Sequence, residues 1–167
     1  RFMAACRGTD LRLYLSLWAH PIWYARWNLD EELTANRAVI DRMATRYSSH
    51  PNFAGWYIPH EIYVVWDRQA RYIIDLYAGL SSMCKQRTPD KQVVLSPFFI
   101  LDREKHLGDF RFTEPAEYEA IWYDLLRQTK IDIVAVQDSG EHLSFYTMDD
   151  RRPFLAAMKR ACTKAGK

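Results

Sequence analysis

A single pattern recurs along this chain at intervals of roughly forty residues: a short apolar run, a polar or aromatic turn, then a long amphipathic stretch. Short strands alternating with long helices require crossover connections. They therefore imply βαβ units and a parallel sheet. Right-handed crossovers place the carboxyl end of every such strand on one rim. In α/β proteins that rim is where ligands bind and chemistry happens.

Four units can be read in order. The segment Phe2–Cys6 reads as the end of a helix stopped near Gly8. Leu11–Leu17 reads as the first strand, and Leu29–Tyr47 as its helix. Asp30, Glu31 and Glu32 suit the positive end of that helix. Leu33, Val39, Ile40 and Met43 supply its apolar stripe. Phe53–Ile58 is the second strand, followed by a helix that Asp67 caps and that runs to about Arg87. Gln92–Pro97 is the third strand. After a longer loop, Thr113 caps a helix with Pro115 near its first turn. Ile131–Val136 is the fourth strand; Asp149 begins a last helix, Arg152 to about Ala165.

A doubly wound four-stranded sheet would satisfy this pattern. The preferred reading is a partial (β/α)₈ TIM barrel, one domain over residues 1–167. A whole barrel takes about 250 residues, so this chain is expected to be a slice without the first and last βα units.

Composition narrows the function. The chain is 49% hydrophobic and 26% charged, as a globular domain is. A net charge of +2 with scattered Lys and Arg argues against nucleic acid as a partner. No apolar run is long enough to span a membrane. The odd, widely spaced set Cys6, Cys84 and Cys162 argues against a disulfide framework or a zinc knuckle. Aromatic residues make up 14% of the chain and crowd near strand ends, which suits stacking on sugars or other flat ligands.

The strand ends carry the chemistry. Phe53–Glu61, FAGWYIPHE, is a strand that Pro59 stops, leaving His60 and Glu61 just past its end. The first strand ends near Trp18, His20, Trp23 and Tyr24, Tyr63 follows the second, and the third ends at Ser96 and Phe98. The fourth ends at Gln137, Asp138, Glu141 and His142. Carboxylates, imidazoles and aromatic platforms on one rim form the inventory of glycoside cleavage, which needs two carboxyl groups and a surface for the sugar. Glu61 is the candidate general acid/base and Asp138 the second candidate catalytic carboxylate. Trp18, His20, Tyr57, His60, Phe98, Gln137, Glu141 and His142 are candidate contacts for a carbohydrate substrate. Tyr57 and Glu61 stand four residues apart, a spacing that leaves open whether they face the same space. No cofactor is expected. One alternative is a carbohydrate-binding barrel without catalysis. Another is a metal-dependent hydrolase using His20, His60, Glu61, Asp138 and His142 across strands.

The segments LYLSLW, GWYIPHE, VVLSPFF and DIVAVQDSGE, in that order, resemble the glycosidase-like barrels catalogued as domain of unknown function family 4434. FAGWYIPHE also resembles the fourth strand of the large retaining glycosidase clan, where a Gly-Trp pair precedes a strand-end acid/base Glu. The resemblance implies that the four strands are the third to sixth of a barrel and that Glu61 holds the acid/base position. In the clan an Asn precedes that Glu; here His60 stands in its place. The clan's nucleophile, at the end of the seventh strand, would fall beyond Lys167. The resemblance further implies an exported, periplasmic or extracellular, bacterial protein acting in carbohydrate metabolism.

Overall fold

The computed structural model describes residues 2–106, 108–137 and 146–167. The elements run α1 (Phe2–Ala5), β1 (Leu13–Ser16), α2 (Trp23–Arg26), α3 (Leu29–Tyr47), β2 (Phe53–Ile58), α4 (Asp67–Arg87), β3 (Gln92–Leu95), α5 (Pro115–Arg127), β4 (Ile133–Val134) and α6 (Met148–Lys164).

The four strands form one sheet in the order β1-β2-β3-β4, and every pairing is parallel. A doubly wound sheet reverses its order at a switch point. Here each strand pairs with the next in sequence, which is the winding of a (β/α)₈ barrel. The chain is therefore a partial barrel of four parallel strands alternating with helices.

Strand register separates two faces. Trp56 and Ile58 of β2 and Val93 and Leu95 of β3 have no exposed surface. They pack into a continuous core with Ile73, Leu76, Tyr77 and Leu80 of α4. The Trp56 indole N–H finds its acceptor at 2.8 Å in Thr88, which closes α4. On the opposite, concave face the side chains of Tyr14, Tyr57 and Gln92 are half-buried. Gln92 Oε1 accepts from Arg12 Nη2 and from the Tyr14 hydroxyl, both at 2.7 Å.

The β1–β2 register slips between Leu13 and Tyr14, whose partners are Phe53 and Gly55, so Ala54 is the extra residue of a bulge. The bulge brings Gly55 against the next strand. A Cβ there would lie 1.9 Å from the Gln92 carbonyl oxygen.

Several local expectations need correction. The cap of α4 is Trp66, and Asp67 is the first helical residue. Glu114, not Thr113, precedes α5; Thr113 is buried. The last helix starts at Met148, one residue before the expected Asp149, because Thr147 and Asp150 form a reciprocal capping box. The four-residue helix α2, in the loop after β1, has no counterpart in the sequence reading.

Candidate functional site

The carboxyl end of β2 turns sharply. Pro59 cannot donate to the ladder, and the Glu61 N–H bonds back to the Pro59 carbonyl at 3.0 Å, a three-residue γ-turn. This turn sends two adjacent residues to opposite places. His60 goes into the core with no exposed surface, while Glu61 stays exposed on the rim.

His60 meets a polar stripe on α3. Along that helix the buried residues are Glu32, Asn36, Ile40 and Ala44, spaced four apart on one face. The His60 Nε2 lies 2.9 Å from Glu32 Oε2, and both side chains are buried. Glu32 Oε1 accepts from the His20 backbone N–H at 3.1 Å. Asn36 accepts from the Trp18 N–H and donates to the Trp18 carbonyl, each at 2.9 Å. The Tyr77 hydroxyl of α4 donates to the His60 carbonyl. Two helices thus tie down the loops that follow β1 and β2.

Burial pushes the His60 imidazole below its ordinary 6.5, and the hydrogen bond and charge of Glu32 pull it only partly back. A neutral ring donates its Nε2–H to Glu32. Its Nδ1 then has no partner among the described residues. His60, expected as a substrate contact on the rim, is here an internal strut beneath it.

Glu61 is held from the side. The Tyr57 hydroxyl donates to Glu61 Oε1. Burial, then the Glu61 carboxylate, pushes the Tyr57 phenol up to about 12, so it remains a donor through the neutral range. The Ser96 hydroxyl also faces the Tyr57 oxygen, and itself donates to the Ala135 carbonyl at 2.7 Å. Gln137 Nε2 donates to the Ser96 carbonyl at 2.9 Å. A row of polar groups therefore crosses the ends of β2, β3 and β4.

Beside Glu61 opens a cleft of about 490 Å³, walled by Trp23, Tyr24, Trp27, Tyr63 and Phe98. Trp23 packs edge-on to the His60 ring at 5.1 Å and to Trp27 at 5.7 Å. Trp27 closes α2 in the left-handed conformation at φ 48°, which aims its ring at Tyr72, 5.1 Å away. Phe98 leans on Tyr63 at 5.5 Å. Among the described residues Glu61 is the one carboxylate that lines this cleft.

Of the expected site residues, Glu61, Tyr57, Phe98 and Gln137 come together at this rim. Trp18 and His20 are half-buried behind it and do not line the cleft. The His20 ring accepts from the Ile22 N–H at 3.2 Å and meets Trp18 edge-on at 5.9 Å. Asp138, Glu141 and His142 lie outside the described residues. Sequence reading placed Tyr24 and Tyr63 at strand ends without assigning them to the cleft, and missed Trp27 as a wall and Glu32 and Asn36 as anchors. A second groove of about 350 Å³ between α4 and α5 is lined chiefly by apolar side chains such as Val65, Ile73 and Ile121, and Glu61 does not line it. Among the described residues no three His, Cys, Asp or Glu gather as a metal site, and no helix is long and apolar enough to cross a membrane.

This is the strand-end architecture of a partial (β/α)₈ barrel. The match to a family model over residues 1–167 makes the chain a member of the domain of unknown function family DUF4434. Among solved structures it is similar to a protein of Bacteroides thetaiotaomicron VPI-5482 described as a "putative alpha-L-fucosidase", with a TM-score of 0.80 and 21% identity. The likeness covers 99% of this chain and 49% of that one, so this chain spans about half the length of the solved protein. None of the curated proteins matches.

Proposed function

We propose that this domain belongs to a carbohydrate-active enzyme that hydrolyses glycosidic bonds, with Glu61 as general acid/base. The observation that carries the reading is the placement of Glu61: an exposed carboxylate at a strand end, hydrogen-bonded from one side and open to an aromatic cleft on the other. Trp23, Tyr24 and Phe98 offer the ring faces on which sugars stack. Glu61 supplies a proton to the leaving oxygen and retrieves one from water afterwards. Asp138, Glu141 and His142, which follow β4, are proposed to complete the site, with Asp138 as a second carboxylate and the other two as sugar contacts.

The test is a panel of nitrophenyl glycosides and polysaccharides offered to the intact protein. Turnover by the parent, reduced on the order of 1,000-fold in Glu61→Gln with sugar binding kept, is the expected result. Wild-type turnover in that variant removes Glu61 from the mechanism.

A second reading is favoured by one observation: the described cleft carries a single carboxylate. Retaining and inverting hydrolysis both need two. A carbohydrate-binding barrel without catalysis would bind the panel, turn over none of it, and bind equally well as Glu61→Gln. A metal-dependent hydrolase would instead hold a stoichiometric ion in the purified intact protein.

A further inference from the structure

Glutamate has three side-chain torsions that must be fixed for one geometry to persist. An exposed Glu61 on a turn would sample many rotamers, so something must hold a proton-transferring oxygen in place. The neighbouring tyrosine has the required geometry. Tyr57 is in register with Ser16 and Val94 on the concave face of the sheet. The γ-turn at Pro59 folds the chain back until the Glu61 carboxylate reaches the Tyr57 hydroxyl. The phenol ring is half-buried, and its oxygen lies beside Ser96, whose hydroxyl donates to the Ala135 carbonyl just after β4. Glu61 Oε2 has no partner among the described residues.

We propose that Tyr57 is a positioning residue for Glu61, holding Oε1 so that Oε2 is the oxygen that exchanges a proton with a bound substrate. This rests on the acid/base role proposed for Glu61. It replaces the expectation that Tyr57 itself contacts the sugar. The phenol keeps its proton to about 12, so it donates wherever the carboxylate is charged.

The experiment is Tyr57→Phe in the intact protein, which keeps the ring and removes the hydroxyl. The variant should lose about tenfold in kcat with KM within about twofold, because positioning acts in the transition state. A raised KM with unchanged kcat overturns the proposal and makes Tyr57 a substrate contact. Should the intact protein hydrolyse no glycoside, ¹³C-labelled glutamate decides independently. The side-chain carboxyl resonance that disappears in Glu61→Gln should shift in Tyr57→Phe, and an unmoved resonance overturns the contact. Should Tyr57→Phe fail to fold, the reciprocal titration decides. In Glu61→Gln one phenol should ionise at lower pH than in the parent, and an unchanged tyrosine titration overturns the proposal.

Discussion

A histidine kept below its ordinary 6.5 by burial makes stability depend on pH. Below about 6.5 the unfolded chain takes up a proton on His60 that the folded chain refuses. Stability is therefore full above that range and falls as pH drops from about 7 to 5, by at most about 1.4 kcal/mol per unit for one group. Thermal melts across that range should show the fall in the parent and a flatter course in His60→Gln. Gly55 sets a different constraint at the same scale. An added methyl would meet the Gln92 carbonyl oxygen at 1.9 Å, and backbone cannot step aside as a side chain does. Gly55→Ala should cost about 3 kcal/mol or prevent folding, read from the denaturation midpoint. The sequence placed Glu61 on the rim because proline ends a strand legibly. It could not say that His60 turns inward, since the γ-turn that separates the pair is a backbone hydrogen bond with no side-chain signature.

At the scale of elements, α3 does more than cover the sheet. Its inward stripe begins with two polar residues, Glu32 and Asn36, and only then becomes apolar at Ile40 and Ala44. The polar half holds loops and the apolar half packs the core. Asn36→Ala would leave the Trp18 N–H and carbonyl without their partner. A loss of about 2–3 kcal/mol is expected, with faster proteolysis between β1 and α3 as its local sign. The stripe was present in the sequence at intervals of four. Reading the acidic residues only as partners of the helix dipole hid it, because dipole and burial both place Glu near that end. Long helices and apolar strands were legible from their periods. The four-residue α2 was not, since a single turn carries no period, and the cleft wall Trp27 went unseen with it.

For the whole molecule the winding of the sheet matters most. Among the described residues β1 pairs only with β2 and β4 only with β3, so two strand edges stay open. The concave face also leaves Tyr14, Tyr57 and Gln92 partly exposed. Residues 1–167 taken alone should therefore associate as concentration rises, which sedimentation velocity would detect, and a concentration-independent monomer would contradict this. The repeat of strand and helix made the barrel winding readable. What no repeat encodes is which rim groups meet, because that depends on loops whose course is set by contacts such as Glu32 with His20.

The consecutive strand order also carries a consequence for how such a chain acquires its shape. Each new strand docks on the one made immediately before it, so no pairing within the sheet has to wait for a distant partner. During synthesis from the amino end, the helix of one unit can cover its strand before the next emerges. The β2 turn that carries Glu61 would then be braced by α3 and α4 before β3 arrives to pair with Tyr57 at Val94.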